Sequence, residues 1–252
     1  MTILKKVGYS ALFATSALCA DSMGGEISLG IFSHSPNGYA SYESSSSVDL
    51  EEDLGWSKEQ DMMFKAYLEH PVPFLPNLKV GYTNLSHNGR GTVTAFSWGG
   101  IINVDGDIDS SLDLKMYDVT SYYELLDNTI EIDTGITLRY LDGNIDVTVT
   151  PFLPLLEEHE VVSFTSLVPM LYGKFRANIP ATNISLQAEG NFITYEDTTF
   201  YDYEISTRYT FSMGIGIETG YRAIHLDSKD LENGLTADMD FKGPYVSLVW
   251  NF

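Results

Sequence analysis

The chain has 252 residues, with 14 Lys and Arg against 35 Asp and Glu and a formal net charge of −21. Nucleic acid is excluded as a partner, because phosphate binding needs clustered Lys and Arg; the acidity suits a secreted or surface-exposed protein. A single cysteine, Cys19, excludes a disulfide framework, and the lack of a helix-length apolar run after the first twenty residues excludes a helical membrane protein.

At the amino terminus, Lys5 and Lys6 precede an apolar stretch over residues 7–18, followed by small residues around Ala17 and Ala20. This pattern predicts a secretory signal peptide over residues 1–20, cut after Cys19 or Ala20. The stretch is shorter than the ~20 residues a spanning helix needs. A lipoprotein with Cys19 as its lipid-bearing first residue is the alternative, although Leu18 stands where a small residue is usual. With ordinary cleavage the thiol leaves with the leader, so no cysteine chemistry and no cofactor are expected of residues 21–252.

The rest of the chain alternates apolar and polar residues in segments of about ten, broken by turn residues, which is the pattern of strands whose two faces meet different solvents. In chain order these are residues 26–33, 62–70, 78–85, 112–125, 130–140, 161–177, 184–194, 201–211, 215–222 and 239–252. In the clearest, Tyr203, Ile205, Thr207, Tyr209 and Phe211 alternate with Asp202, Glu204, Ser206, Arg208 and Thr210. Short links are predicted at 71–76, 127–128, 180–183 and 212–213. Longer polar stretches fall between them, at 35–59, 87–111, 142–160, 196–199 and 228–237.

Alternating short and long connections between amphipathic strands predict an all-β, antiparallel transmembrane β-barrel of ten strands, with short periplasmic turns and longer extracellular loops. Twelve strands result if 92–104 and 145–150 are added, and eight is the other alternative. Closure follows from lipid contact, since an open sheet would leave unpaired backbone groups in hydrocarbon.

The carboxy terminus ends in Val246, Leu248, Trp250 and Phe252 alternating with polar or smaller neighbours. This resembles the terminal signature of outer-membrane barrels, an aromatic last residue preceded by alternate apolar positions. The resemblance implies recognition by the barrel assembly machinery. Met23, Gly24, Gly25 and Glu26, the run Val168, Pro169, Met170, Leu171, Tyr172 with Lys174, and the run Tyr201, Asp202, Tyr203, Glu204 are similar to motifs of an uncharacterised family of small Gram-negative outer-membrane proteins with an N-terminal Gly-Gly pair. That resemblance implies location and fold, not activity. Tyr122, Tyr123, Tyr140, Tyr209, Phe211, Trp250 and Phe252 are expected at the membrane–water interfaces.

The opposite parity carries Lys65, Glu69, Lys79, Asp118, Glu124, Glu131, Asp133, Arg139, Lys174, Arg176, Glu189, Asp202, Glu204, Arg208, Glu218 and Arg222, charges of both signs predicted to face the lumen. Paired, they would fill a narrow barrel; a passive, porin-like channel for small solutes is the competing reading. Two enzyme patterns are faint. His34 with Ser35 is similar to the pair of lipid A deacylases, but neighbours on a strand point to opposite faces. His225 with Asp227 falls at the rim where ten-stranded outer-membrane proteases carry His and acidic residues. No enzyme activity is therefore expected.

Asp105, Asp107 and Asp109 are a candidate calcium run, although Ser110 and Met116 stand where a calcium loop has its Gly and Glu. Divalent cations bridging acidic loops to lipopolysaccharide are an expected association. A short helix over the barrel mouth is predicted around Val48, Leu50 and Leu54, after the low-complexity run Ser44 to Ser47. Trp98, Ile101 and Ile102 are unusually apolar for a loop. The expected partners are outer-membrane lipids and lipopolysaccharide, with the assembly machinery and periplasmic chaperones during biogenesis, for a monomer of structural or surface-interaction role.

Overall fold

The computed structural model describes residues 23–43, 46–72, 74–153, 156–229, 231 and 234–252. The expected signal peptide lies outside the described residues. Eleven strands are described: β1 (Gly24–Tyr42), β2 (Val48–Asp49), β3 (Glu59–Glu69), β4 (Asn77–Trp98), β5 (Ile101–Asp127), β6 (Ile130–Pro151), β7 (Glu158–Asn178), β8 (Ile184–Tyr195), β9 (Thr198–Thr210), β10 (Ile215–Ser228) and β11 (Leu235–Asn251). β1 pairs with β3, each strand from β3 onward is antiparallel to the next, and β11 returns to pair with β1 from Glu26↔Asn251 to Tyr42↔Leu235, closing the sheet. Ten strands form the wall. The two-residue β2 is not one of them; it pairs only with Tyr39 and Ala40 of β1, above the point where β3 leaves that edge.

β1, β4, β5 and β6 are much longer than the alternation predicts, whereas β3, β8 and β9 are close to it. β5 has 27 residues, whereas a membrane-crossing strand needs about 9–11. The extra length is explained by a change of phase. In the lower part of β5, apolar Tyr117, Val119 and Tyr123 point outward and Asp118, Thr120, Tyr122 and Glu124 inward. Above Met116 the polarity reverses: Ile108, Leu112, Leu114 and Met116 point inward while Asp105, Asp107, Asp109 and Asp113 face out. β6 reverses between Tyr140 and Leu141, and β11 between Val246 and Lys242.

The alternation of side chains is unbroken across each reversal, from Val104 to Glu124 in β5, so the reversal records a change of surroundings, from an apolar exterior below to water above. Residues 87–111 and 142–160, expected as loops, are therefore mostly continuations of β4, β5, β6 and β7. The candidate extra strands 92–104 and 145–150 are the upper ends of wall strands, not additions to the count. The link at 196–199, expected to be long, is a turn of two residues between β8 and β9.

The lower exterior forms a belt around the barrel. Leu29, Ile31, Met62, Val119, Ile136, Leu138, Leu167, Leu171, Ile205, Ile217, Val246 and Leu248 are all exposed on it. Tyr123, Tyr140, Tyr209, Phe211, Trp250 and Phe252 are also exposed, as expected of interfacial rings. Tyr122 departs from that expectation: it is fully buried in the lumen, its ring centroid 5.9 Å from that of Tyr172. Its parity is that of Asp118 and Glu124, which is the reason.

Candidate functional site

Inside the belt the lumen is crossed by ion pairs joining strands far apart in sequence. Arg139 donates to Asp118 from Nε (2.7 Å) and Nη2 (2.6 Å), and from Nη2 to Asp202 (2.7 Å). Arg222 also donates to Asp202, through Nε to Oδ1 (2.8 Å) and through Nη2 to the Oδ2 it shares with Arg139 (2.7 Å). Arg208 holds Glu26 at 2.6 and 2.7 Å and Glu218 at 2.6 and 2.9 Å. Lys65 pairs with Glu204, and Lys79 with Glu189, which also accepts from the hydroxyls of Tyr67 and Tyr172. Lys174 pairs with Asp133 at 2.7 Å, and Arg176 with Glu131 and Glu26 at 3.2 Å.

All ten charges singled out for the lumen, Glu131, Asp133, Arg139, Lys174, Arg176, Asp202, Glu204, Arg208, Glu218 and Arg222, lie on the inward face. Most are buried. Taking such groups from water is costly unless each finds opposite charge and hydrogen bonds; here some partners stand on the neighbouring strand and others, as in Arg139–Asp202, Lys65–Glu204 and Lys79–Glu189, come from non-adjacent strands, so the network ties separate parts of the wall together.

Above this layer the interior is apolar. Val93, Phe96, Trp98, Ile101, Val104 and Ile108 of β4 and β5 pack with Ile145, Val147, Val149, Val162 and Phe164 of β6 and β7, and with Ile224, Leu226, Leu235, Met239 and Phe241 of β10 and β11. Trp98 and Ile101 thus belong to this core, while Ile102, of the other parity, is exposed.

The segment between β1 and β3 closes the gap where β3 ends. Val48, Leu50, Leu54 and Trp56 are buried in the core. The Trp56 indole donates to Ser110 Oγ (2.9 Å), and that hydroxyl donates to the Leu54 carbonyl (2.7 Å). The expected short helix is not formed. Val48 and Asp49 extend along β1, and the chain then makes one tight turn, in which the Asp49 carboxylate accepts the N–H groups of Glu51 and Glu52. Such capping would start a helix, but the turn stops at Gly55, whose φ is +70°, and Trp56 then bridges to Gly89 of β4.

Just above the belt, beneath this segment, two histidines meet. His34 and His87 are both fully buried. His87 Nδ1 lies 2.9 Å from the Ser57 carbonyl, His87 Nε2 is 3.1 Å from His34 Nδ1, and His34 Nε2 is 3.1 Å from Asp61 Oδ2. Asp61 also accepts the N–H of Ser86 (2.7 Å), its hydroxyl (2.8 Å) and the Asn84 amide (3.1 Å). Burial pushes the Asp61 pKa up, but the hydrogen bonds from His34, Ser86 and Asn84 outweigh it and hold the group at about 2. Burial, with the charge of His34 beside it, pulls His87 down to about 4. Sequence alone singles out His34 but not its partners. They lie 27 and 53 residues away, and only the strand register brings them together.

The other candidate residues are placed apart. Ser35 is on the outer face, opposite to His34. His225 lies on the outer surface, stacked on Tyr201 at 4.7 Å and 3.1 Å from Asp240. Asp105, Asp107 and Asp109 do not converge: each turns to its neighbour on β4, accepting from the Ala95 N–H, the Thr92 hydroxyl and Arg90 respectively. Among the described residues no group of three His, Cys, Asp or Glu side chains is arranged to hold a metal ion. Val246, Leu248, Trp250 and Phe252 project outward at the seam. There Gly25 and Phe252 exchange two backbone hydrogen bonds of 2.9 Å.

A closed antiparallel wall, an apolar belt and a charged lumen decide the architecture. The fold is that of the outer-membrane β-barrels. The outer-membrane protease OmpT from Escherichia coli superimposes with a TM-score of 0.52 at 11% identity, covering 93% of this chain and 98% of that one. Ail of Yersinia pestis (10% identity, TM-score 0.38, 91% and 98% covered) and a major outer membrane protein of Thermus thermophilus (11%, 0.40, 92% and 100%) align less well. No protein-family model matches the sequence, and no curated protein is recognisably similar to it. At these identities the likeness concerns the barrel fold alone.

Proposed function

We propose that this chain is an integral outer-membrane protein, exported through its leader, whose sealed barrel anchors a rigid β-structured platform at the cell surface for structural or interaction roles. The observation that carries this reading is the stacking of two fillings: a cross-linked ionic layer at the level of the belt, and an apolar core above it closed by residues 48–57. A solute path would need a continuous wet column, and the upper core is filled instead by packed apolar side chains.

Turnover is not part of this reading. The hydrogen-bond partners of His34 and His87 are Asp61, the Ser57 carbonyl and each other, with no attacking hydroxyl among them, and His225 sits outside the wall. The platform's outward Asp105, Asp107, Asp109 and Asp113 supply a face suited to divalent cations shared with lipopolysaccharide. The exposed terminal strand suits recognition by the assembly machinery, and the barrel is complete as a monomer.

The test is conductance. Refolded protein in planar bilayers is expected to give no stable unitary current steps. Reproducible steps from protein of verified fold would favour the channel reading instead.

A further inference from the structure

The hydrogen-bond chain through the two histidines fixes a proton count. Its two ends, the Ser57 carbonyl and the Asp61 carboxylate, can only accept, because Asp61 already takes three other donors and is held ionised. His87 Nδ1 and His34 Nε2 must therefore each carry a proton. The 3.1 Å contact between His87 Nε2 and His34 Nδ1 needs one more. Three protons on two imidazoles make one positive charge, matched by Asp61. With only two, either a lone pair faces a lone pair between the rings, or one end of the chain loses its donor.

What hangs on this chain is the closing segment. Ser57 is its last residue, and Trp56 stacks on His87 at 5.8 Å, with Phe241 stacked on the same ring at 5.4 Å. We propose that the His34–His87 pair is a proton-operated latch that holds residues 48–57 against the barrel mouth while it carries three ring protons and releases them when it carries two. Apart from Asp61, and from Glu59 of β3, which stands opposite His34 on the same face, the surroundings are apolar. Phe32 of β1, Leu85 of β4 and Phe241 of β11 pack at this level, with Leu112 of β5 and Ile224 of β10 in the same core. Asp61 is the one charge in direct contact with the pair among the described residues. Glu59 of β3 is in register with His34, Arg222 lies lower, against Phe32, and Asp240 and Lys242 of β11 point outward. Acid therefore closes the latch, and rising pH opens it.

Two measurements on refolded protein test this between about pH 5.5 and pH 8.5, which brackets ordinary imidazole titration. Nitrogen-15 spectra of labelled histidine count ring protons. Three on the pair at the acid end and two at the alkaline end are expected, and two throughout overturns the proposal. A spin label at Glu52→Cys, in a Cys19→Ser background, reports the segment. Its immobile component is expected to be lost as the pH rises, and that loss to be absent in His34→Gln and His87→Gln. A label equally immobile at both ends overturns the proposal, as does a transition that survives in both Gln variants. Should neither Gln variant fold, the proton count and label mobility of the otherwise unaltered protein decide.

Discussion

Arg139 shows how much a single side chain carries in this lumen. It is fully buried and spans from Asp118 on β5, its register partner, to Asp202 on β9. Arg139→Leu leaves Asp118 without its partner, and removing one member of a buried pair costs about 3–5 kcal/mol. Urea unfolding in detergent is expected to show a loss of that order. The double variant Arg139→Leu with Asp118→Leu is expected to recover most of it, because no uncompensated charge then remains. Gly38 is a second such point. It has φ +116°, its carbonyl accepts the Leu50 N–H at 3.1 Å, and a Cβ there would collide with the Asp238 carbonyl oxygen across the seam. Gly38→Ala is expected to cost more than about 1 kcal/mol in the same unfolding measurement, since the left-handed conformation and the collision add.

At the scale of elements, the segment from β1 to β3 depends on Trp56. Its indole hydrogen bond to Ser110, its stacking on His87 and its complete burial predict that Trp56→Ala costs about 3–5 kcal/mol of local stability. The cost is expected in the segment rather than the whole barrel. Limited proteolysis should therefore cut between residues 48 and 58 in the variant, while heat-modifiable migration of the barrel persists. The sequence made the wall strands legible but not this segment. Parity alone places Asp133, Arg139 and Glu218 inward, whereas the fate of Val48, Leu50 and Leu54 depends on the turn capped by Asp49 being stopped at Gly55 and on Trp56 bridging to Gly89, which spacing does not reveal. The His34, His87 and Asp61 cluster was illegible for another reason: it exists only once β1, β3 and β4 are in register. Tyr122 was legible, and its alternation with Tyr123 outweighed its aromatic character.

For the whole molecule, the governing feature is one continuous alternation read against two exteriors. Residues 104–116 alternate as regularly as residues 117–124, but with apolar and polar faces exchanged, and an expectation of ten-residue strands turns the upper half into loops. The reversal in β5, β6 and β11 marks where the belt ends, and with it where water begins. Site-directed spin labelling along the outward face of β5 in liposomes tests this claim directly. Labels at Tyr123, Ser121, Val119 and Tyr117 are expected to be accessible to dissolved oxygen and shielded from a water-soluble nickel reagent, and labels at Lys115, Asp113, Ser111 and Asp109 to show the opposite. A gradual trend with no switch between Tyr117 and Lys115, or nickel access at all eight positions, would contradict the account.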